Sequence, residues 1–302
     1  MAAACARPRQ LVPPAFEAVS LQGDTLRTLP LPSATRGRYE QQLAEARATL
    51  ARNPDDADAL IWVGRRLGYL GRFSEAIETF SEGVRRFPSD ARFLRHRGHR
   101  YISTRRFDLA VADLELASAL VNNRPDEVEP DGQPNARNQP IGTLQSNIAY
   151  HLGLAYYLQA RYDRAVLVYD RELREATNDD RRASVAHWLY MSLRRLHRDA
   201  EAAQVAKRFR RDMDVIENGT YLRLMLMYKG ELPADSLLAA GASDMSVTDA
   251  TAAYGVGNWQ LVNGRREEAE RVFRRIIAGG QWGAFGYIAA ESDLARMHGA
   301  RR

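Results

Sequence analysis

The sequence predicts an all-α protein, an α-α solenoid in which helix hairpins stack one after another. Two observations carry this prediction. A set of small and large apolar residues recurs about every 34 residues, and Gly or Pro segments separate the helical patterns at matching places. The composition agrees, since 302 residues with 45% hydrophobic and 27% charged side chains suit a soluble globular chain with a sizeable core.

The apolar positions of each unit are spaced by three and four residues, then nine, then four and three. This spacing predicts two amphipathic helices joined by a tight turn. The frame runs through Leu60, Gly64, Leu67, Ala76, Phe80 and Gly83, then Leu94, Gly98, Tyr101, Ala110, Leu114 and Ala117, then Ala149, Gly153, Tyr156, Ala165 and Tyr169, then Ala186, Tyr190, Leu193 and Ala202, then Ala253, Gly257, Gln260, Ala269 and Phe273. The predicted repeats are 57–90, 91–124, 146–179, 183–216 and 250–283.

Turn residues support the same units. Gly71 divides the first pair of helices, and Pro54 and Pro88 stop the chain between pairs. The aspartates that follow these prolines are predicted to cap the next helix, because a side-chain oxygen satisfies free N–H groups there.

Capping helices are expected at both ends, over 37–52 and 285–297, because an isolated helix hairpin leaves an apolar face that a neighbour must cover. The solenoid then spans 37–302. Residues 219–229 and 233–240 are expected to add further helices, which together make a degenerate repeat.

Two proline-containing segments do not fit a helix. Residues 1–36 are predicted to form an extended N-terminal arm, and residues 122–145 a long inserted loop. A loop of that length inside a compact array is either a floppy insertion or a functional segment. In the functional case it folds over the solenoid groove and contributes to partner contact.

The repeated residues and their spacing resemble the tetratricopeptide repeat (TPR) family, most closely over 57–124 and 146–179. The resemblance implies a right-handed superhelix whose first helices line a groove. It also implies a non-catalytic scaffold that binds a peptide or protein partner, as a subunit or assembly factor of a larger complex. Arg97, Tyr190 and Gln260 depart from the residue types usual at their positions, so irregular packing is expected there.

The groove residues are predicted from the first helix of each unit, one position past the core residues. This stripe mixes Arg and aromatic side chains with amides, and Tyr and Arg are the types in which interfaces concentrate binding energy. The candidate partner-binding residues are Arg65, Arg92, Arg95, His99, Asn147, Tyr150, Tyr157, His187, Arg194, Tyr254 and Asn258.

Charge is unevenly distributed along the chain. Residues 85–106 hold eight Arg against one Asp, whereas 108–131 hold seven acidic residues against one Arg. Arg92, Arg95 and His99 therefore have three interpretations: a cationic patch for an acidic segment or terminal carboxylate of the partner, a solvated helix face, or pairing with the acidic loop of the same chain. Some TPR proteins clamp a terminal carboxylate with Lys, Arg and Asn, and here only Asn147 resembles the amide component.

The sequence predicts no catalytic residue, cofactor, metal site or small-molecule substrate. His96 and His99 are spaced to share a metal, but no third ligand is nearby in sequence. No Gly-x-Ser-x-Gly elbow or Walker loop occurs. The alternatives are an RNA-binding helical repeat protein and an enzyme. RNA readout requires a recurring base-reading pair that the stripe lacks, so nucleic acid is not the expected partner.

The N-terminus leaves two locations open. Residues 1–5 lack the apolar segment of a signal peptide, which predicts a cytoplasmic protein. Ala3-Ala4-Cys5 nevertheless resembles the end of a bacterial lipoprotein signal. If translation starts upstream, Cys5 is the lipid anchor of a periplasmic protein and the arm is its tether. A membrane contact is expected only through that anchor, because no stretch is apolar enough to span a bilayer.

Overall fold

The computed structural model of the protein describes residues 15–238 and 245–299. Thirteen α-helices account for most of these residues, and the predicted all-α solenoid of helix hairpins is confirmed. Cys5, on which the lipid-anchor hypothesis depends, lies outside the described residues.

The helices follow one another as antiparallel neighbours, each packed on the next along the chain. In chain order they are α1 (Ser33–Arg52), α2 (Ala57–Tyr69), α3 (Phe73–Arg86), α4 (Ala91–Ser103), α5 (Phe107–Val121), α6 (Leu144–Leu158), α7 (Tyr162–Glu175), α8 (Asp179–Arg195), α9 (Asp199–Lys207), α10 (Gly219–Lys229), α11 (Val247–Val262), α12 (Arg266–Ala278) and α13 (Phe285–Gly299). A short 3₁₀ helix, Ala234–Leu237, follows α10 where a longer helix was expected. The inserted loop, residues 122–143, connects α5 to α6.

Side-chain caps define where several helices begin. Asp56 Oδ1 accepts hydrogen bonds from the N–H groups of Asp58 and Ala59, at 2.9 and 3.1 Å. Asp90 caps α4 in the same way. These are the aspartates that the turn pattern indicated, and each satisfies backbone donors that have no partner inside the helix.

A recurring contact joins the two helices of a hairpin. A glycine on the first helix lies beneath a large side chain of the second: Gly98 beneath Leu114, Gly153 beneath Tyr169, and Gly257 beneath Phe273. A Cβ at Gly153 would lie 2.5 Å from Tyr169 Cζ, so only glycine permits this approach. The recurring small residue in the sequence is therefore a requirement of close helix packing.

Two of the residues that depart from the repeat pattern are accommodated by polar or aromatic partners, whereas Gln260 Oε1 is buried without a hydrogen-bond partner among the described residues. Arg97 donates to Asp113 on the paired helix α5, with Nε and Oδ2 2.7 Å apart. Tyr190 stacks on Tyr228 of α10, with ring centroids 4.0 Å apart and planes inclined by 5°. The second of these contacts ties α10 to the preceding hairpin.

Residues 15–36 do not form the extended arm that was predicted over 1–36. Strands β1 (Phe16–Val19) and β2 (Thr25–Arg27) pair antiparallel, and Gly23 in the turn has a φ of 95°. The buried Glu17 carboxylate accepts a hydrogen bond from Ser74 N of α3 at 2.8 Å. The β-hairpin therefore docks onto the helices, and the following helix begins at Ser33.

The last helix has a larger role than the end cap expected over 285–297. Every residue from Gly286 to Leu294 is buried, including charged Glu291 and Asp293. Glu291 pairs with Arg105 of the second hairpin at 2.7 Å, and Asp293 pairs with Arg195 of α8 at 2.5 Å. Helix α13 thus contacts hairpins far from it in sequence and forms part of the core.

The glycine contacts give a direct test of helix packing. Gly153→Ala is expected to lower the free energy of unfolding by ~1–3 kcal/mol, because Tyr169 must move to admit the methyl group. The matched control is Gly37→Ala in α1, where no atom lies within 4 Å of an added Cβ. That change is expected to raise stability by ~0.5–1 kcal/mol through helix propensity. Urea denaturation of both variants measures the difference, and equal effects would contradict the packing account.

Candidate functional site

The predicted groove residues lie on the first-helix face, which we define as the surface formed by α2, α4, α6, α8 and α11. Each of these helices contacts the next in that order. The structure does not leave this face open along its length. Helix α13, helix α10 and the inserted loop each cover a part of it, and the predicted residues divide accordingly.

Three predicted groove residues lie beneath α13. Tyr157 and Tyr254 share a hydrogen bond of 2.7 Å between their hydroxyl groups, and Tyr157 also donates to Asn258 Oδ1 at 3.1 Å. Tyr254 donates to Asp293 Oδ2 of α13 at 2.9 Å. All three side chains are fully buried. They are core residues and not surface contacts, because α13 of the same chain covers this part of the first-helix face.

His187 is covered in the same manner by α10. Its ring is fully buried, lies 5.1 Å from the Tyr221 ring and stacks on Tyr228 with centroids 5.9 Å apart. Tyr228 Oη and His187 Nδ1 are 3.2 Å apart. The prediction that His187 faces a partner therefore does not match its position in this structure.

Arg92 and Arg194 are at the edges of the face and are paired locally. Arg92 pairs with Asp90 at 2.6 Å and Arg194 with Asp199 at 2.7 Å. Partly exposed pairs of this kind contribute little to stability, so they mainly set side-chain positions. Arg92 is not joined with Arg95 and His99 into one cationic patch, which was one interpretation of the basic segment.

Four of the five remaining predicted residues meet at a cavity of about 460 Å³ between the first-helix face and the inserted loop, whereas the fifth, His99, does not line it. Arg65, Arg95, Asn147 and Tyr150 line its helical wall. The loop supplies the opposite wall, and the rim includes Thr251 of α11 and Phe285 of α13. This cavity is the candidate functional site.

The inserted loop is anchored at several points along the helices. Arg65 Nη2 donates to the Pro130 carbonyl oxygen at 2.8 Å, and Arg66 Nη1 donates to that of Gly132 at 3.0 Å. At the far end, Asn178 of α8 donates to the Ile141 carbonyl oxygen at 2.9 Å. Within the loop, Glu129 N donates to the Gly142 carbonyl oxygen at 3.0 Å. The loop therefore folds over the groove, and its contribution to partner contact stays a prediction.

A buried ion pair fixes the loop to the cavity floor. Arg95 Nη2 and Glu129 Oε1 are 2.9 Å apart, and both side chains are about one-tenth exposed. Glu129 Oε2 also accepts from Asn147 Nδ2 at 3.1 Å. The third interpretation of the basic segment, pairing with the acidic loop, therefore holds for Arg95. The opposite charges of the two neighbouring segments were the signal for it.

Two polar groups of the cavity can form further hydrogen bonds or ion pairs with a bound group. Arg65 bonds to a carbonyl and lies 3.4 Å from the Tyr69 hydroxyl, and it has no ion pair within the described residues. Asp131 Oδ2 is buried without a hydrogen-bond partner among those residues, and burial raises the pKa of this carboxyl. The cavity thus offers one cation and one acceptor to a bound group.

The sequence did not single out several other lining residues. Arg181 and Glu172 form a buried pair at one end of the cavity, and Tyr221 accompanies Tyr150 there with hydroxyl oxygens 2.8 Å apart. Arg181 lies in the first turn of its helix and Glu172 on a second helix. A stripe drawn along the middle of the first helices therefore misses both.

Three histidines gather beside the cavity. The rings of His99 and His151 are 4.4 Å apart, and each contacts the Phe285 ring. His96 stacks on Phe80 with centroids 5.3 Å apart. Burial, followed by the nearby arginines, holds the pKa of all three well below the usual range, so the rings are neutral at pH 7.

Two further findings bear on the chemistry of the described residues. Residues 15–238 and 245–299 contain no group of three or more His, Cys, Asp or Glu placed to hold a metal ion. Within the same ranges, no helix has the length and apolar character needed to cross a membrane.

The buried histidines predict a stability that falls in mild acid. Burial also lowers the pKa of His187 to about 3. Below pH ~6.5 the unfolded chain binds protons that the folded rings exclude, so each His removes up to ~1.4 kcal/mol of unfolding free energy per pH unit. Denaturation at pH 7.0 to 5.0 measures the slope. His187→Gln is expected to reduce it. A flat profile for the unaltered chain would contradict the burial of these rings.

The comparison with known families matches one part of the chain. The sequence model of the tetratricopeptide repeat matches residues 64–125. This range runs from the middle of α2 through α5 and the start of the inserted loop. No curated protein matches the chain.

Several solved structures are similar at low identity. The pilF protein of Pseudomonas aeruginosa is 17% identical, covers 89% of this chain and 92% of its own, and has a TM-score of 0.47. PilW, named as a widely conserved type IV pilus biogenesis factor, is 15% identical, with 80% and 87% covered and a TM-score of 0.46. YrrB, named as a TPR protein with an unusual peptide-binding site, is 14% identical, with 85% and 98% covered and a TM-score of 0.44.

At TM-scores below 0.5 these structures carry no argument about this chain. The family match covers residues 64–125, which lie in the first two complete hairpins. This part of the chain is similar to the tetratricopeptide repeat, and the helix hairpins continue beyond it.

Proposed function

We propose that the protein is a non-catalytic interaction scaffold that binds a short peptide segment of a protein partner in the cavity beneath the inserted loop. The observation that carries the proposal is the open cavity itself, in which Arg65, Asn147 and Tyr150 meet the loop. Elsewhere the first-helix face is covered by α13 and α10. A partner that uses this face therefore has the cavity as its point of entry.

The size of the cavity supports a peptide segment over a folded element. Its volume of about 460 Å³ falls within the ~300–1,000 Å³ of typical ligand sites. A helix with its side chains is ~10–12 Å across and needs an open groove. One or a few side chains of an extended or turn segment fit a cavity of this size better.

The lining supports a segment that carries a carboxylate beside its backbone amides. Arg65 faces the cavity without an ion pair in the described chain, and a charge-assisted bond to an acidic side chain would use it. Asp131 and Ser184 offer acceptors to backbone N–H groups of the bound segment. In this proposal the protein acts as a subunit or assembly factor that holds its partner by this segment.

The RNA alternative has less support. Base reading by helical repeats uses exposed stacking and hydrogen-bonding side chains on successive first helices. Tyr157, His187 and Tyr254 are fully buried, and Arg95 is paired with Glu129. Too few predicted positions remain exposed to form a repeated code.

A peptide-display screen against the full chain tests the proposal. Peptides that contain Asp or Glu are expected to be enriched. Their affinity is expected to fall at least ~10-fold in Thr251→Trp, because the larger side chain fills the cavity at its rim. Gln204→Trp, on the exposed side of α9, is the matched control and is expected to bind normally. Equal binding by both variants, or no enriched peptide, would overturn the cavity as the peptide site.

A further inference from the structure

A second, smaller cavity of about 140 Å³ lies on the first-helix face between α2 and α4. Its walls are rich in Arg and His side chains. They include Arg65, Arg95, His96, His99 and Arg100, together with Tyr69 and Glu129. The volume is well above the ~10–15 Å³ that one ordered water requires. The proposed peptide site does not use Arg100 or His99.

Arg100 is a half-buried cation without a carboxylate partner in the described chain. Its guanidinium bonds to the His99 ring nitrogen and lies 4.9 Å from the centroid of the Phe73 ring. Both partners are neutral, so neither compensates the charge. Gly68 makes room for the group, since Arg100 Nη1 is only 3.2 Å from the place of a glycine Cβ.

The one carboxylate in the cavity wall is already committed. Glu129 pairs with Arg95 through Oε1 and accepts from Asn147 through Oε2. His96, whose ring is neutral, lies 3.8 Å from the same carboxylate. Glu129 balances the charge of Arg95. No carboxylate among the described residues pairs with Arg100, so its positive charge is left over.

Unused donors accompany this charge. Arg95 Nε is buried and has no hydrogen-bond partner among the described residues, and the residue as a whole is only 8% exposed. Burial lowers the pKa of Arg100 to about 9, which leaves it charged at neutral pH. A half-buried charge without a counter-charge and a buried donor without a partner, both in the wall of one cavity, are unfavourable unless something compensates them.

We propose that this cavity binds a small oxyanion, of the carboxylate or phosphate class, between Arg95 and Arg100. A guanidinium presents parallel N–H donors that match two oxygens of such an anion, whereas a spherical halide uses only one direction. The anion supplies the missing negative charge and accepts from the unpartnered Arg95 Nε. It reaches the site from the larger cavity, which shares Arg65, Tyr69, Arg95 and Glu129 with it.

Titration calorimetry of the full chain tests this site, with phosphate, acetate and chloride as probes in a fluoride background of constant ionic strength, which contains no oxyanion. Saturable binding of phosphate or acetate is expected. Arg100→Gln is expected to weaken it by ~10–100-fold, since it removes the charge-assisted bonds. Arg85→Gln makes the same change at an exposed position and is expected to bind as the unaltered chain does.

A second measurement needs no variant. The melting temperature of the unaltered chain is expected to rise and saturate with oxyanion concentration, because only the folded state has the cavity. Absence of saturable binding, binding of chloride alone, or equal binding by Arg100→Gln would overturn the proposal. The peptide screen is separate, since its variant lies at the rim of the larger cavity and leaves Arg100 in place.

Discussion

The structure depends on two buried carboxylates of α13, Glu291 and Asp293. Glu291 pairs with Arg105 and accepts from Leu21 N at 2.6 Å, so one side chain joins the last helix, the second hairpin and the N-terminal β-hairpin. Asp293 pairs with Arg195 of α8 and with Arg296 of its own helix. Charges this deeply buried are tolerated only with complete pairing, so the helices that supply the arginines are held in one arrangement around α13.

That constraint decides which part of the first-helix face remains for a partner. Helix α13 occupies the region of Tyr157 and Tyr254, and the inserted loop crosses the region of Arg65 and Asn147. The cavity lies between these two coverings, and the loop that walls it is fixed to the helices by the Arg95–Glu129 pair and by the bonds to the Pro130 and Ile141 carbonyl oxygens. The candidate site is thus a consequence of how the chain fills its own groove.

Sequence reasoning recovered what is local. The hairpin register follows from contacts such as that of Gly153 with Tyr169, which lie within one repeat. Asp56 and Asp90 each cap the helix that begins at the next residue. The segments that cover the first-helix face could not be predicted in this way, because they come from distant parts of the chain. Leu21 and Glu291, for example, are hydrogen-bonded but lie 270 residues apart in sequence. The stripe that placed Tyr254 on an open surface assumed that no later segment returned to it. In the sequence, Glu291 and Asp293 among the apolar residues of α13 were the one sign of this packing.

Native-state hydrogen exchange of the α13 amides tests the central claim most directly. If α13 is the buried element around which the hairpins are arranged, the amides of Ile288 to Leu294 should exchange only through global unfolding, as slowly as those of α6. A peripheral cap would instead open by itself. Exchange of these amides much faster than that of α6, under conditions where the hairpins stay folded, would contradict the account.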